Sequence, residues 1–441
     1  MPFSFTRADF PADFLFGAAT AAYQIEGSSF GNCGSSHWDT WAATPGNVVN
    51  ADDGSIACDH YHRMEGDLDL MRDGGFDAYR FSTSWARVMP DGRTVNPEGL
   101  DFYDRLVEGI VARGLKPCLT LYHWDLPSPL ADIGGWANRE IPERFADFTR
   151  AVIDRIGDRV EAVATINEPW CVAWLSHFLG LQAPGLRDIR AATRAMHHVL
   201  LAHGLSMEAM REMGQKNLGI VLNLTYPQAA SGSEQDLQAT RTFDAIHNRW
   251  FLDVLFRGHY PDDMITPLAA HMPDGYEEDL KKIAAPMDWL GINYYTRSIV
   301  AAAPDTPWPG FANVDGPLPK TDMGWEIYPE GLSSLLERVG RDYTGDLPII
   351  VTENGMAGDE QIKDGVCNDP VRVQYLNNHV QAVRKAIDAG VPVKGYFAWS
   401  LLDNFEWSFG YEKRFGLVHV DYATQTRTPK ASFEAFRSAI K

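Results

Sequence analysis

Short apolar runs alternate with longer amphipathic segments along the whole chain. Glu98–Arg113 carries apolar residues at a helical period, and Pro142–Ile156, Arg190–Met213 and Val371–Ala389 follow the same pattern. Parallel strands need helical crossovers between them, so alternation of this kind indicates βα units. The apolar runs predict eight strands, at Phe14–Thr20, Ala78–Ser82, Pro117–Leu121, Val160–Ile166, Leu218–Leu222, Trp289–Ile292, Pro348–Val351 and Gly395–Trp399.

The fold class that follows is α/β, as a single (β/α)8 TIM barrel with long βα loops. A doubly wound open sheet would give a similar alternation, but the number of strands and the polar residues at their ends favour the barrel. No linker rich in Pro, Gly or Ser divides the chain, so we expect one domain over residues 1–441. The stretch Ala301–Lys320 is predicted to be one long surface loop.

Composition narrows the class of function. The 441 residues carry a formal net charge of −20, which disfavours nucleic acid and anionic membranes as partners. The five cysteines form no CxxC pair, and no signal peptide or apolar membrane span is evident, so a cytoplasmic location is expected. Aromatic residues make up 12% of the chain, and aromatic rings stack on the apolar faces of sugars. A tryptophan-rich core would explain that number equally well.

We predict neither a metal nor an organic cofactor. The pair His60 and His62 has the spacing of metal ligands, but it precedes the second strand instead of ending the first. No glycine-rich phosphate-binding motif follows a strand.

Polar residues with catalytic potential follow the predicted strands directly. In a barrel these ends meet in one mouth, where the active site lies. Glu168 and Glu353 each end a strand, beside Asn167 and Asn354. Acetal cleavage needs a proton donor for the leaving oxygen and a carboxylate facing the positively charged centre, so two facing carboxyls suffice. The residues alone leave open whether the configuration is retained or inverted.

Several stretches then give the chain a resemblance to a known family. They are Phe14–Gly27, Thr165–Pro169, Val351–Gly355, Trp399–Trp407 and Arg427–Lys430. In this order and over essentially the whole chain, they resemble glycoside hydrolase family 1, the β-glucosidase group.

The resemblance implies a role for each residue of the mouth. Glu168 matches the general acid/base and Glu353 the nucleophile, which Arg80, Tyr295 and Asn293 would support. Residues matching the substrate-binding set are Gln24, His123, Trp124, Asn167, Trp399, Glu406 and Trp407. Trp170, Leu175, Asn223 and Trp325 match the aglycone entrance, where we expect Trp170 and Leu175 to weaken inhibition by glucose.

The implied activity is that of a retaining β-glycosidase, chiefly a β-glucosidase. Expected substrates are cellobiose, short oligosaccharides and aryl β-glucosides, cleaved at terminal non-reducing β-D-glucosyl residues. Transglycosylation and β-fucosidase or β-galactosidase side activity are also expected. Since Glu168 is not replaced by Gln, O-glycosides are favoured over thioglucosides.

Two alternatives stay open. The first is a 6-phospho-β-glycosidase, although Trp407, Glu412 and Phe415 stand where that branch has Ser, Lys and Tyr. Lys413 and Arg414 lie in the same loop and carry positive charges that could pair with a phosphate, so this alternative stays open. The second alternative is a non-catalytic sugar-binding barrel.

Overall fold

The computed structural model describes residues 2–441, and its centre is a closed barrel of eight parallel strands. The first strand pairs with the second, with Gly17 opposite Ala78, and with the eighth, with Leu15 opposite Gly395. This closure excludes the open-sheet alternative. All eight predicted strands are present, at Leu15–Ala19, Ala78–Ser82, Lys116–Tyr122, Ala162–Asn167, Leu218–Asn223, Trp289–Asn293, Ile349–Asn354 and Val393–Trp399.

Helices connect successive strands and cover the outside of the barrel. The helix that starts at Pro97 uses the fixed φ of proline in its first turn, and it ends just before Gly114, whose φ is +73°. The four predicted helices are confirmed. The longer helices are His60–Asp73, Pro97–Ala112, Ile141–Ile156, Ile189–Glu212, Glu234–Asp244, Trp250–Arg257, Tyr276–Ile283, Pro329–Val339, Pro370–Asp388 and Ala431–Ile440.

Shorter helical segments shape the loops. Four-to-seven-residue helices are Ala22–Ile25, His37–Ala43, Trp85–Val88, Ser128–Asp132 and Asp262–Leu268. Three π-helical turns are Cys171–Leu175, Ala245–Arg249 and Gly340–Thr344. The 3-10 turns are Arg7–Asp9, Val49–Ala51, Gly135–Ala137, Gly157–Arg159, Ala269–His271 and Trp407–Phe409.

The prediction of one long loop over Ala301–Lys320 is wrong. Strands Arg297–Ala302 and Phe311–Val314 form an antiparallel hairpin, and Tyr226–Ala229 adds a third strand parallel to the first. Val300 is buried against Ala239 and Phe243, so this sheet closes a small core of its own. Two further hairpins pair Ile362–Lys363 with Val366–Cys367 and Val418–Asp421 with Thr426–Pro429.

The histidine pair considered for a metal has carboxylate partners. His60 is buried and its Nδ1 lies 2.8 Å from Asp67, while Nδ1 of His62 lies 2.6 Å from Asp59. Within residues 2–441, no helix combines the length and the apolar character that crossing a membrane requires.

Candidate active site

Each barrel strand delivers a polar or aromatic side chain to the mouth. Glu168 and Glu353 are both buried, with exposed fractions of 5% and 3%. Most of these side chains end an apolar strand or follow it directly, whereas Arg80 lies within the second strand and Gln24 in the short helix after the first. In barrel order they are Gln24, Arg80, His123, Asn167, Asn223, Asn293, Glu353 and Trp399.

Glu353 is held as part of an ion pair. Nη1 of Arg80 donates to Oε1 of Glu353 at 2.6 Å, and the Tyr295 hydroxyl donates to Oε2 at 2.6 Å. Burial has the largest effect and leaves the pKa of Glu353 above its usual range, although the charge of Arg80 and the hydrogen bond from Tyr295 offset part of this rise. Both carboxylate oxygens therefore accept a hydrogen bond that favours the ionised form.

Glu168 makes no ion pair of its own within residues 2–441, although the charge of Arg80, which is paired with Glu353, lowers its pKa in part. Burial raises the pKa of Glu168 to about 8, and the negative charge of Glu353 adds to this rise. Its neighbours are the neutral groups of Asn293 and Cys171, which lower the pKa only partly. Glu168 is therefore the carboxyl of the two that keeps a proton near neutral pH.

Asn293 lies between the two carboxyls. We predicted it as support for Glu353, but its Nδ2 donates to Oε1 of Glu168 at 2.7 Å and to Oδ1 of Asn167 at 3.0 Å. Its side chain also lowers the pKa of Glu353 by hydrogen bonding. Asn293 therefore contacts both carboxyls: the predicted contact with Glu353 is present, and the bond to Glu168 is an additional one.

Asn167 is fixed by a network of hydrogen bonds. Its Oδ1 accepts from Nη2 of Arg80 at 2.8 Å, and its Nδ2 donates to Nε2 of His123 at 3.1 Å. The indole of Trp124 donates to the Asn167 carbonyl at 3.0 Å. Burial and the charge of Arg80 hold the pKa of His123 well below its usual range, so this imidazole is neutral. With Nε2 accepting, the proton lies on Nδ1.

Three polar atoms of the predicted sugar pocket are buried without a protein partner among residues 2–441. They are Oε1 of Gln24, Nδ1 of His123 and Oε2 of Glu406. Nε2 of Gln24 is already engaged, since it donates to Oδ1 of Asn404 at 3.0 Å and to the Phe405 carbonyl at 2.8 Å. Burying such atoms without partners is costly, so this set suits a ligand rich in hydroxyl groups.

Glu406 brings a third carboxyl to the mouth. Burial raises its pKa to about 8, and the charges of Glu353 and Glu168 add to the rise. Beside it, Trp407 packs against Trp124 and Trp38, each at 4.6 Å between ring centroids. Trp399 stacks on His123 at 5.7 Å. The pocket thus joins aromatic faces to hydrogen-bonding groups.

The backbone is constrained at the residues that define the pocket. Trp124, Glu168 and Trp407 have φ values of +81°, +53° and +51°, in the left-handed region that costs a side-chain-bearing residue energy. Gly355 follows the nucleophile strand, and a Cβ there would meet the Trp399 carbonyl oxygen at 1.8 Å. Only glycine allows the seventh and eighth strand ends to approach this closely.

The four predicted entrance residues divide into separate groups. Trp170 packs on His247 at 4.2 Å, and Nδ2 of Asn223 donates to Sγ of Cys171 at 3.5 Å. Trp325 lies across the mouth, 5.5 Å from the Tyr295 ring. Leu175 ends a π-helical turn and packs against the main core, with no hydrogen-bonded or aromatic contact to the other three.

Sequence reasoning missed four residues that hold the site. Oγ1 of Thr352 donates to Oδ1 of Asn293 at 2.7 Å, and Oγ1 of Thr120 accepts from Nε of Arg80 at 3.1 Å. Asn404 positions Gln24, and Cys171 contacts Glu168. Thr352 and Asn404 lie inside two of the stretches that resemble the family, Val351–Gly355 and Trp399–Trp407, and this position could have indicated them. Thr120 and Cys171 carried none beyond their places near strand ends.

The barrel mouth thus holds two buried carboxyls that differ in pKa, next to a pocket of aromatic and hydrogen-bonding groups. This combination is that of a glycoside hydrolase. The model of glycosyl hydrolase family 1 matches residues 6–441. The chain belongs to this family.

Relatives and solved structures resemble it over nearly its whole length. A β-glucosidase from Agrobacterium is 48% identical over 96% of this chain and 94% of its own. A bifunctional β-D-glucosidase/β-D-fucosidase from Bifidobacterium breve is 46% identical over 98% of both. The family 1 β-glucosidase of Thermotoga maritima, solved with isofagomine lactam, superposes with a TM-score of 0.94 at 44% identity, covering 97% of this chain and 98% of its own.

Proposed function

We propose that this protein is a retaining β-glucosidase and that residues 1–441 form one catalytic domain. Its substrates are cellobiose, short oligosaccharides and aryl β-glucosides, cleaved at the terminal non-reducing β-D-glucosyl residue. The observation that carries the proposal is the inequality of the two carboxyls. Glu353 is ion-paired with Arg80 at 2.6 Å, while the pKa of Glu168 is raised to about 8.

In the first step Glu168 protonates the glycosidic oxygen and Glu353 attacks the anomeric carbon. The bond from that carbon to the leaving oxygen breaks as the ester to Glu353 forms, so the aglycone leaves as a neutral alcohol. Arg80 and Tyr295 keep Glu353 ionised for the attack. Asn167, held by Arg80 and His123, is placed to bind the 2-hydroxyl of the sugar.

In the second step Glu168 acts as a base. Esterification removes the negative charge of Glu353, and this charge is one cause of the raised Glu168 pKa. The pKa of Glu168 therefore falls in the intermediate, and its carboxylate deprotonates the water that attacks the anomeric carbon. The ester bond to Glu353 breaks in the same step, which releases the sugar and restores the Glu353 carboxylate and the protonated Glu168. A sugar hydroxyl can replace that water, which gives transglycosylation.

The glycone pocket supports glucose and its close relatives. The unpartnered atoms of Gln24, His123 and Glu406 would bind sugar hydroxyls, and Trp399 offers a stacking face. The Bifidobacterium relative that also acts as a β-fucosidase supports fucose as an additional sugar. We propose β-galactosidase side activity for the same reason, since these sugars differ little in shape.

A 6-phosphate finds less support. Nζ of Lys413 is engaged with Asp322 at 3.0 Å, and Arg414 with Asp403 at 2.8 Å. Neither cation is therefore free to pair with a phosphate. Comparing phosphorylated with plain glucosides tests this alternative directly.

The first experiment follows hydrolysis of p-nitrophenyl β-D-glucopyranoside and the anomer of the released glucose by proton NMR. We expect β-glucose to appear first, because two displacements restore the starting configuration. Early α-glucose would contradict the role of Glu353 as nucleophile. No turnover by folded protein would instead favour a sugar-binding barrel.

A further inference from the structure

A cavity in the barrel lies beside the catalytic mouth. It encloses about 270 Å³ between the loops that follow the first, third and fourth barrel strands. Its walls are mainly aromatic and aliphatic, and include Trp38, Tyr122, Trp124, Trp136, Leu126 and Val172. Each of these six side chains is at least nine-tenths buried.

This cavity is separate from the site already described. Trp124 is the one residue of the predicted substrate-binding and entrance sets among those that line it. Glu168, Glu353 and Glu406 do not line it. Trp124 thus forms a wall between the cavity and Asn167, to which its indole donates at 3.0 Å.

Most polar groups of the lining already have partners. Nδ1 of His37 accepts from the Leu126 amide at 3.1 Å, and Nδ1 of His177 donates to the Val172 carbonyl at 3.0 Å. Burial lowers the pKa of both histidines to about 4, so they are neutral at neutral pH. The Tyr122 hydroxyl accepts from Nε1 of Trp136 at 3.0 Å. Nε1 of Trp38 is buried without a partner among residues 2–441.

We propose that the cavity binds a single neutral aromatic ring that carries one oxygen, as in a phenol. A dry apolar cavity of about 150 Å³ is large enough for benzene, so this one has ample space for a substituted ring. The walls provide aromatic faces, and Trp38, one of the lining residues, has a buried indole N–H without a partner among residues 2–441, which we assign as the donor for the oxygen. Asp132, exposed at the rim, disfavours anions.

The source of such a ring is the aryl aglycone that the proposed hydrolysis releases, and this part of the inference rests on the proposed function. Binding itself does not, because it needs no turnover. Two walls of the cavity, Trp38 and Trp124, both pack on Trp407 of the mouth. An occupant therefore contacts one aromatic residue of the sugar pocket, Trp124, without entering that pocket.

The test is isothermal titration of the wild-type protein with phenol, without glycoside, in the absence and presence of saturating D-glucose. We expect one phenol per chain, bound also when glucose is saturating, because the two occupants lie on opposite sides of the Trp124 indole and do not overlap; through this shared wall glucose should change the dissociation constant by no more than about fivefold. Full competition by glucose would place phenol in the catalytic mouth and overturn the proposal. Absence of phenol binding would also overturn it.

Variants at one lining residue locate the site. Ala131→Phe fills the cavity and should weaken phenol binding at least about tenfold, a loss of roughly 1.4 kcal/mol. Ala131→Ser changes little volume and is the matched control, which should bind as the wild type does. Equal binding by Ala131→Phe would contradict the proposal. Circular dichroism checks that each variant is folded. If Ala131→Phe does not fold, Leu186→Trp at the rim of the cavity takes its place. Turnover of a glucoside, measured separately, shows whether the proposed function itself holds.

Discussion

The barrel buries two clusters of charged side chains that differ in their balance of charge. The mouth cluster consists of Glu168, Glu353, Glu406 and Arg80, so three acids face one base. Within residues 2–441, its one ion pair joins Arg80 to Glu353. Burial raises the pKa of Glu168 and of Glu406 to about 8. These acids keep protons that they could give to a substrate.

The second group, the C-terminal cluster, is balanced. Asp403 accepts from Nζ of Lys430 and from Nη1 of Arg414, each at 2.8 Å. Burial opposes ionisation of Asp403, but these two cations outweigh it and lower its pKa. The cluster pairs three acids with three bases: Asp369, Asp403 and Glu360 with Arg372, Arg414 and Lys430.

The difference shows how one fold uses buried charge in two ways. Balanced ion pairs fix the loop after the eighth strand to the C-terminal segment, and no proton is left to exchange. In the mouth, carboxyls outnumber cations, so some of them stay protonated while Glu353 is paired with Arg80. Acid/base catalysis requires such a difference between neighbouring carboxyls. Removing the nucleophile or the acid should therefore lower turnover in the mouth cluster, whereas removing a carboxylate from the C-terminal cluster should weaken folding.

The largest expected effect comes from Glu353→Ala. Loss of the nucleophile should lower kcat on p-nitrophenyl β-D-glucopyranoside by at least about 10⁴-fold, because no covalent intermediate can form. Azide should restore turnover and give the α-glycosyl azide after a single inversion. Glu412→Ala removes an exposed carboxyl from the loop after the eighth strand and should retain full activity. A Glu353→Ala enzyme with ordinary kcat would contradict the mechanism.

Glu168→Gln should remove the proton donor and lower kcat/KM by about 10²–10⁴-fold for poor leaving groups. In the wild type, the acid form exists below the Glu168 pKa of about 8 and is lost as pH rises through that value. The kcat/KM profile, which reports groups of the free enzyme, should therefore fall on its alkaline side near pH 8, and this fall should disappear in Glu168→Gln. Because the pKa of Glu406 is also raised to about 8, Glu406→Gln is the control. If Glu406→Gln instead removes the loss of activity at high pH, Glu406 and not Glu168 is the acid.

Asp403→Asn tests the balanced cluster. Lys430 and Arg414 would be left buried without their carboxylate, which should lower the free energy of unfolding by about 3–5 kcal/mol. Urea unfolding followed by circular dichroism measures the change. A loss below about 1 kcal/mol would show that the cluster contributes little to stability.

The smallest expected effect concerns the aglycone entrance. If Trp170 and Leu175 narrow it, Leu175→Ala should lower the inhibition constant for glucose about two- to fivefold, since one contact is worth only about 0.5–1 kcal/mol. The matched control is Leu181→Ala, an exposed leucine in the same loop. Strong inhibition of the wild type at low millimolar glucose would contradict the underlying hypothesis.

The barrel could be predicted because each strand is a short apolar run that ends in polar residues. The four long helices were equally clear from their period and from stops such as Gly114. The hairpin around Gly310 could not be predicted in this way. Arg297–Ala302 is mostly half-exposed, and its partner Tyr226–Ala229 belongs to a different βα loop, so little local pattern marks either strand.

The site was predictable in its positions but not in its contacts. Strand ends placed Glu168, Asn293 and Glu353 at one mouth, and the resemblance implied their roles. Which carboxyl receives the Asn293 amide depends on side-chain directions that a linear sequence does not contain. The cavity behind Trp124 arises where three loops meet, so no single motif indicates it.

The left-handed backbone at Trp124, Glu168 and Trp407 has an evolutionary consequence. Each such residue costs about 1–2 kcal/mol that a glycine would avoid. Selection for folding alone therefore favours loss of these side chains, and only selection for turnover retains them. In a descendant that no longer needs to cleave sugars, the acid and its two aromatic neighbours should drift first, while the barrel around them persists.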